Sequence, residues 1–172
     1  RAAVAEVAAF DDPRLSAAIA GWTLGTALPP ALMDGGRRWW LVELADEAAL
    51  RTLHPDWDAI AALAEATASM GVFAYARAAG APADAGQPFA FAVRAFVGNG
   101  RRFEDAASGA ANAVLAAWLD QRDALPGGTR AYTVSQGREI GFDARLDLRL
   151  DAAGDVWSGG EVRTVVRGTL DW

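Results

Sequence analysis

The stretch of this chain best equipped for chemistry is Phe103-Glu104-Asp105-Ala106-Ala107-Ser108-Gly109-Ala110-Ala111-Asn112, which runs directly into Ala113-Val114-Leu115-Ala116-Ala117-Trp118-Leu119. Two acids and a small Ser-Gly step stand at the mouth of a pattern that predicts a helix over residues 106–119. Only Ser108 and Asn112 interrupt its apolar surface. A helix apolar on every side must be enclosed by the rest of the fold, and fourteen residues are too few to span a bilayer. The start of such a helix has free N–H groups and a positive dipole end, which suits an anion. Asp105 reads either as an N-cap accepting from the amides of Ala107 or Ser108, a contact of about 1 kcal/mol, or as cap and site residue together. For Glu104 the dipole favours the ionised form, so anchoring suits it better than proton abstraction.

The other candidates read more plainly. Gly98-Asn99-Gly100-Arg101-Arg102 has the composition of a phosphate cradle, but a tight turn with solvated arginines accounts for it. His54, in His54-Pro55-Asp56-Trp57 ahead of a helix, reads as a surface residue. Gln136-Gly137 reads as a strand end or bulge. Trp39 and Trp40 are neighbours on one strand and must point to opposite faces, one to the core and one to an interface.

Composition limits what such a site could serve. At 172 residues, 52% hydrophobic and 22% charged, the chain has a globular composition and is long enough for one well-cored domain. We read residues 1–172 as that single domain. All 16 basic residues are arginine, which with the abundant alanine reads as coding bias. A net charge of −6 argues against nucleic acid as a partner, since phosphate binding needs a basic face. Arg side chains and backbone amides can still hold a small organic acid locally. The absence of cysteine removes thiol nucleophiles, thiol bases and thiolate metal sites. No signal peptide or membrane-spanning run is visible, and an intracellular, cytoplasmic setting is the simpler expectation. The chain opens at Arg1 inside a patterned segment, which we read as a fragment or a chain lacking its first residues.

The elements that position the candidate site follow from punctuation and periodicity. Residues 3–10 are ambiguous between strand and helix. Asp12-Pro13 starts a helix that runs to about Trp22. Leu28-Pro29-Pro30 breaks the pattern and Gly35-Gly36 turns it, leading to a strand over 38–44. One helical turn covers 46–50, and Asp56 caps an amphipathic helix through Ser69. Trp57, Ile60, Ala61, Ala64 and Ala68 share its face, with Leu63 at the edge. Strands are expected at 72–77, 89–97, 130–136 and 144–150, with a Pro/Gly-containing loop at 81–88. The alternation Arg145, Leu146, Asp147, Leu148, Arg149, Leu150 leaves one face of its strand wet. A last strand pair is expected at 156–158 and 161–170. Six to eight strands and one wholly apolar helix point to an α+β fold, a mixed sheet curled around that helix.

Several collinear motifs resemble one family. The strand Phe91-Ala92-Val93-Arg94-Ala95-Phe96, a turn, Glu104-Asp105-Ala106-Ala107-Ser108-Gly109-Ala110-Ala111 and an apolar helix resemble the C-terminal half of the phenazine-biosynthesis (PhzF-like) isomerases. In that family an arginine-containing strand precedes Glu-Asp-Pro-Ala-Thr-Gly-Ser-Ala. Val134-Ser135-Gln136-Gly137-Arg138-Glu139-Ile140-Gly141 resembles the family's Gln-Gly-x-Glu-x-Gly segment. Trp157-Ser158-Gly159-Gly160 and Arg167-Gly168-Thr169-Leu170 resemble its final strands, and Asp34-Gly35-Gly36 with the strand after it a looser upstream element. The resemblance covers residues 33–172 well and 1–32 weakly.

The resemblance implies a diaminopimelate-epimerase-like fold, in which two similar domains each curl a mostly antiparallel sheet, barrel-like, around a central helix. It implies proton removal and return on a small carboxylate-bearing metabolite in the cleft between domains, with no metal and no organic cofactor. The family's principal acid/base is a glutamate of the N-terminal half, near Gly-Asn-Pro and Gly-His motifs that this chain lacks. Ala106 stands for the motif's Pro, Ser108 for its Thr and Ala110 for its Ser, and Phe142-Asp143 for a usual Arg-Pro pair. A superfold racemase with two thiol bases is excluded by composition. The expected site is therefore half a site. Asp105 orients substrate or a proton-carrying water, Glu104 lies beside it, and the amides of Ser108, Gly109 and Ala110 hold a carboxylate. The base comes from a missing N-terminal domain or a second subunit. The alternative is a non-catalytic domain that forms a homodimer through the face the missing half would cover.

Overall fold

Backbone pairing on either side of one central strand organises the molecule. The computed structural model describes residues 5–8, 12–78 and 89–169; the loop expected at 81–88 lies outside them. In chain order the described elements are β1 (Ala5–Ala8), α1 (Pro13–Ala18), β2 (Ala31–Asp34), β3 (Arg38–Glu43), α2 (Glu47–Arg51), α3 (Trp57–Thr67), β4 (Gly71–Arg77), β5 (Phe91–Val97), β6 (Phe103–Asp105), α4 (Gly109–Gln121), β7 (Ala131–Gln136), β8 (Ala144–Leu150) and β9 (Val156–Gly159). They make one mixed sheet in the order β1-β2-β3-β4-β5-β7-β8-β9, with β6 also on β5. Only β3·β4 and β5·β7 run parallel among these pairs. Each follows a helical crossover, as a parallel return requires.

The sheet curls around α4, which touches β2 and β3 near one end of the strand order and β8 and β9 at the other. Alternation along the strands builds two cores, one on each face. On the inner face Phe91, Val93 and Ala95 of β5 pack with Trp39, Phe73, Tyr75 and the Val114, Leu115, Trp118 and Leu119 side chains of α4. On the outer face Ala92 and Phe96 pack with Trp40, Val72, Leu15, Leu50, Ile60 and Leu63, under α1–α3. Each large side chain buried this way contributes about 1.5–3 kcal/mol.

Several expectations are corrected. Trp39 and Trp40 do point to opposite faces, but both are buried, because the sheet is covered on both sides where they lie. The central helix starts at Gly109 rather than at residue 106, because residues 103–105 pair with β5 instead of winding into it. α1 ends at Ala18, short of Trp22, and the chain then turns through Gly21 at φ +79°. A strand, β2, follows directly after Pro29-Pro30. Leu63 is a central contact of α3 and not an edge one, while Ala68 is exposed at its left-handed C-cap. Residues 161–169 form no strand, and Val162, Val165 and Val166 stand in solvent.

Candidate functional site

β6 and β7 share one edge of β5, end to end, and their meeting point makes the helix mouth. Val97, Phe96 and Ala95 pair with Phe103, Glu104 and Asp105, while Phe91, Ala92 and Val93 pair with Val134, Ser135 and Gln136. Asp105 and Gln136 thus end their strands opposite Ala95 and Val93, both inner-face residues. Paired residues share a face, so both side chains look toward α4.

Gln136 uses that position fully. Its Nε2 donates to the Asp105 carbonyl at 2.7 Å, and its Oε1 accepts from Ser108 N at 3.2 Å and Asn112 Nδ2 at 2.9 Å. Asn112 Nδ2 also donates to the Ser108 carbonyl at 2.8 Å. Gln136 and Asn112 are 0% and 1% exposed, which makes them the polar floor of the mouth. Gly137 follows at φ +79°, so close to the chain that a Cβ would lie 2.6 Å from the Ala106 carbonyl oxygen.

Asp105 Oδ1 accepts from Ala107 N at 3.3 Å. Ser108, not Asp105, is the N-cap of α4, and its side chain makes no capping bond. The Ser108 amide expected for an anion is given to Gln136. Helix geometry leaves the Gly109 and Ala110 amides without intrahelical acceptors, and neither has another partner among the described residues. Ala107 borders a cleft of about 820 Å³ lined also by Ala144, Arg145, Ser158, Gly160 and Val162. Ser158 Oγ lies across from Gly109, 3.4 Å from where a Cβ there would sit.

Glu104 is not at the mouth. Opposite Phe96, it faces the outer side, where Arg94 Nε and Nη2 grip its carboxylate at 3.0 and 2.7 Å. Arg94 Nη1 donates to the Leu50 and Leu53 carbonyls at the end of α2. Glu139 joins them: its Oε1 accepts from Arg51 Nη1 at 3.0 Å, and Arg51 also holds Glu47 and Ser135. This ionic rivet ties α2, β5, β6 and β7 together behind the mouth.

The structure therefore brings together Asp105, Ser108, Gly109 and Ala110 and removes Glu104 from them. It adds Gln136 and Asn112, which sequence reading took for a strand end and an interruption. The signal was an Asn in an otherwise apolar helix, since a buried amide must find a partner. Burial pushes the Tyr75 and Tyr132 hydroxyls well above the ordinary range, so neither serves as a base near neutral pH. His54 is exposed. Among the described residues no three His, Cys, Asp or Glu side chains gather as a metal site, and no helix is long and apolar enough to cross a membrane.

Comparison with known proteins places this geometry. Residues 4–169 match the family described as phenazine biosynthesis-like protein, PhzC-PhzF. Similar structures include a PhzF-family phenazine biosynthesis protein from Bacillus anthracis, 16% identical over 95% of this chain and 58% of that one, TM-score 0.65. A predicted epimerase from Pseudomonas aeruginosa is 21% identical over 97% and 55%, TM-score 0.65. A PhzF-family protein from Enterococcus faecalis is 20% identical over 92% and 54%, TM-score 0.56. The chain thus spans a little over half the length of these structures, and they share its fold. No curated protein sequence matches it. On the family match over nearly its whole length, this chain belongs to the phenazine biosynthesis-like (PhzC-PhzF) family.

Proposed function

We propose that this chain is the C-terminal half of a PhzF-like isomerase and supplies one wall of a site that moves a proton on a small carboxylate-bearing substrate. The observation that carries the reading is the strand parity of Asp105: its side chain is on the inner face at the turn into α4, whose Gly109 and Ala110 amides have no partner among the described residues and whose preceding Ala107 borders an open cleft. The Gly109 and Ala110 amides and the dipole of α4 grip the carboxylate. Asp105 orients substrate or a proton-carrying water, and the principal base comes from an N-terminal domain or a second subunit. The reaction on this reading uses neither metal nor organic cofactor. Glu104, spent on Arg94, serves as structure. A crystal soaked in a small dicarboxylate or aromatic carboxylate tests the assignment. Density at the Gly109 and Ala110 amides supports it; an ordered, empty site closed by side chains contradicts it.

A second reading rests on the exposed Trp157, Val162, Val165 and Val166. In it the chain self-associates, and a symmetric pair imitates a two-domain protein. Sedimentation decides between the two: a stable monomer counts against pairing.

A further inference from the structure

We propose that Gln136 is the positioning residue of the mouth. It fixes the Asp105 main chain and takes the Ser108 amide out of the anion-binding set, so that a carboxylate is received by the Gly109 and Ala110 amides alone. The assignment rests on the site proposed above and specifies how that site is held and what it offers.

The chemistry of the position demands a carboxamide. One terminal group must donate to the Asp105 carbonyl and accept from Ser108 N and Asn112 Nδ2. Glutamate accepts but, when ionised, cannot donate; methionine fills the space, donates nothing and accepts only weakly. Leucine or valine would be too short to reach both β6 and α4. Topology makes the reach possible, because β6 and β7 stop on neighbouring inner-face positions of β5. The consequence is geometric: the Asp105 carbonyl and the first turn of α4 are held by the same side chain, so they cannot shift independently.

A buried amide pair contributes only modestly to folding, whereas an unsatisfied buried polar atom is costly. Asn112 Oδ1 is such an atom: it is buried and has no partner among the described residues. An apolar pair at these positions would remove that oxygen but leave the Ser108 N–H and the Asp105 carbonyl without the partner Gln136 gives them. The amide pair thus holds the end of β6 and the first turn of α4 in one geometry, with one oxygen left over.

The test compares wild type with Gln136→Glu and Gln136→Met, all labelled with nitrogen-15, using benzoate as the probe. Without probe, Gln136→Met moves the Ser108 amide and the Asn112 side-chain signals and speeds exchange of the Ser108 amide with solvent, whereas Gln136→Glu, which still accepts from both, moves those signals and leaves the Ser108 amide protected. With probe, Gln136→Glu weakens the benzoate affinity read at Gly109 and Ala110 by about tenfold near neutral pH, about the size of one hydrogen bond, because the Asp105 carbonyl loses its donor and a negative charge now stands behind the two amides. The loss recovers, relative to wild type at the same pH, when acid protonates the new carboxyl and restores a donor. Equal affinities at every pH, or unmoved Ser108 and Asn112 signals in a folded variant, would overturn the proposal. Should both variants fail to fold, wild type still decides: slow exchange at Ser108 with fast exchange at Gly109 supports it, and equal exchange refutes it. If wild type binds no benzoate while the unliganded signals move as stated, the positioning stands and the carboxylate site falls.

Discussion

Glu104 and Asp105 are consecutive in the chain and serve opposite faces of the sheet: Glu104 pairs with Phe96 and ion-pairs Arg94, while Asp105 pairs with Ala95 and faces α4. One residue of strand separates an anchor from a candidate site group. The anchor works because Arg94 and Glu104 side chains are only 6% and 5% exposed.

Removing one partner of that pair strands the other as a buried charge. Arg94→Ala is expected to lower unfolding free energy by about 3–5 kcal/mol, read by urea denaturation. The neutral acceptor of Glu104→Gln costs less, about 1–3 kcal/mol. Equal, negligible effects from both would show that the rivet is dispensable.

Asp105→Asn separates structure from chemistry. Asparagine keeps an oxygen for the Ala107 amide, so stability should stay within about 0.5 kcal/mol of wild type. Proton transfer by the assembled enzyme, followed as deuterium uptake into substrate, should fall by about a hundredfold, the size of a lost orienting contact. An unchanged rate would reduce Asp105 to a turn residue.

Gly137 holds the back of the mouth. Its φ of +79° and the 2.6 Å approach of a Cβ to the Ala106 oxygen combine strain with a clash, so Gly137→Ala should cost about 1–3 kcal/mol and displace the Ala106 turn. Gly141, at φ +85° in open space, provides the contrast: alanine there should cost about 1 kcal/mol. Thermal unfolding of the two variants measures the difference.

The hairpin that carries Ser158 is sensitive to acid. Asp151 Oδ2 accepts from Trp157 Nε1 at 3.0 Å, and its Oδ1 accepts from the Ala153 and Asp155 amides. The Trp157 bond first, then these amides, hold its pKa below the ordinary 3.8. A folded-state pKa lowered in this way contributes stability that is fully present above 3.8 and is lost as pH falls through the native value. The Trp157 indole N–H resonance should therefore shift only in that acid window, and Asp151→Asn should abolish the transition.

Much of the architecture was legible because it is written in local patterns. Asp12 and Asp56 cap helices as their positions require, and β8 follows its alternation from Leu146 to Leu150. The motif residues 91–96 and 134–136 lie on strands β5 and β7, and the apolar run after Ser108 is the helix α4, in the order expected. What stayed hidden depends on pairing at a distance. Nothing in Phe103-Glu104-Asp105 announces a three-residue strand, since its only support is the edge of β5. Without that strand the parity of Glu104 and Asp105 cannot be known. Gln136 escaped notice for the same reason: its three partners lie 24 to 31 residues away. The tail over 161–169 has the composition of a strand but pairs with none of the described strands.

The central claim is that the mouth of α4 receives a carboxylate beside Asp105. A nitrogen-15 NMR titration of the wild-type chain with succinate and with benzoate tests it most directly. The account predicts saturable shifts centred on the Gly109 and Ala110 amides, with Ser108 moving less because its N–H is held by Gln136. Absent shifts, or shifts centred on the outer face around Arg94 and Glu104, would contradict it.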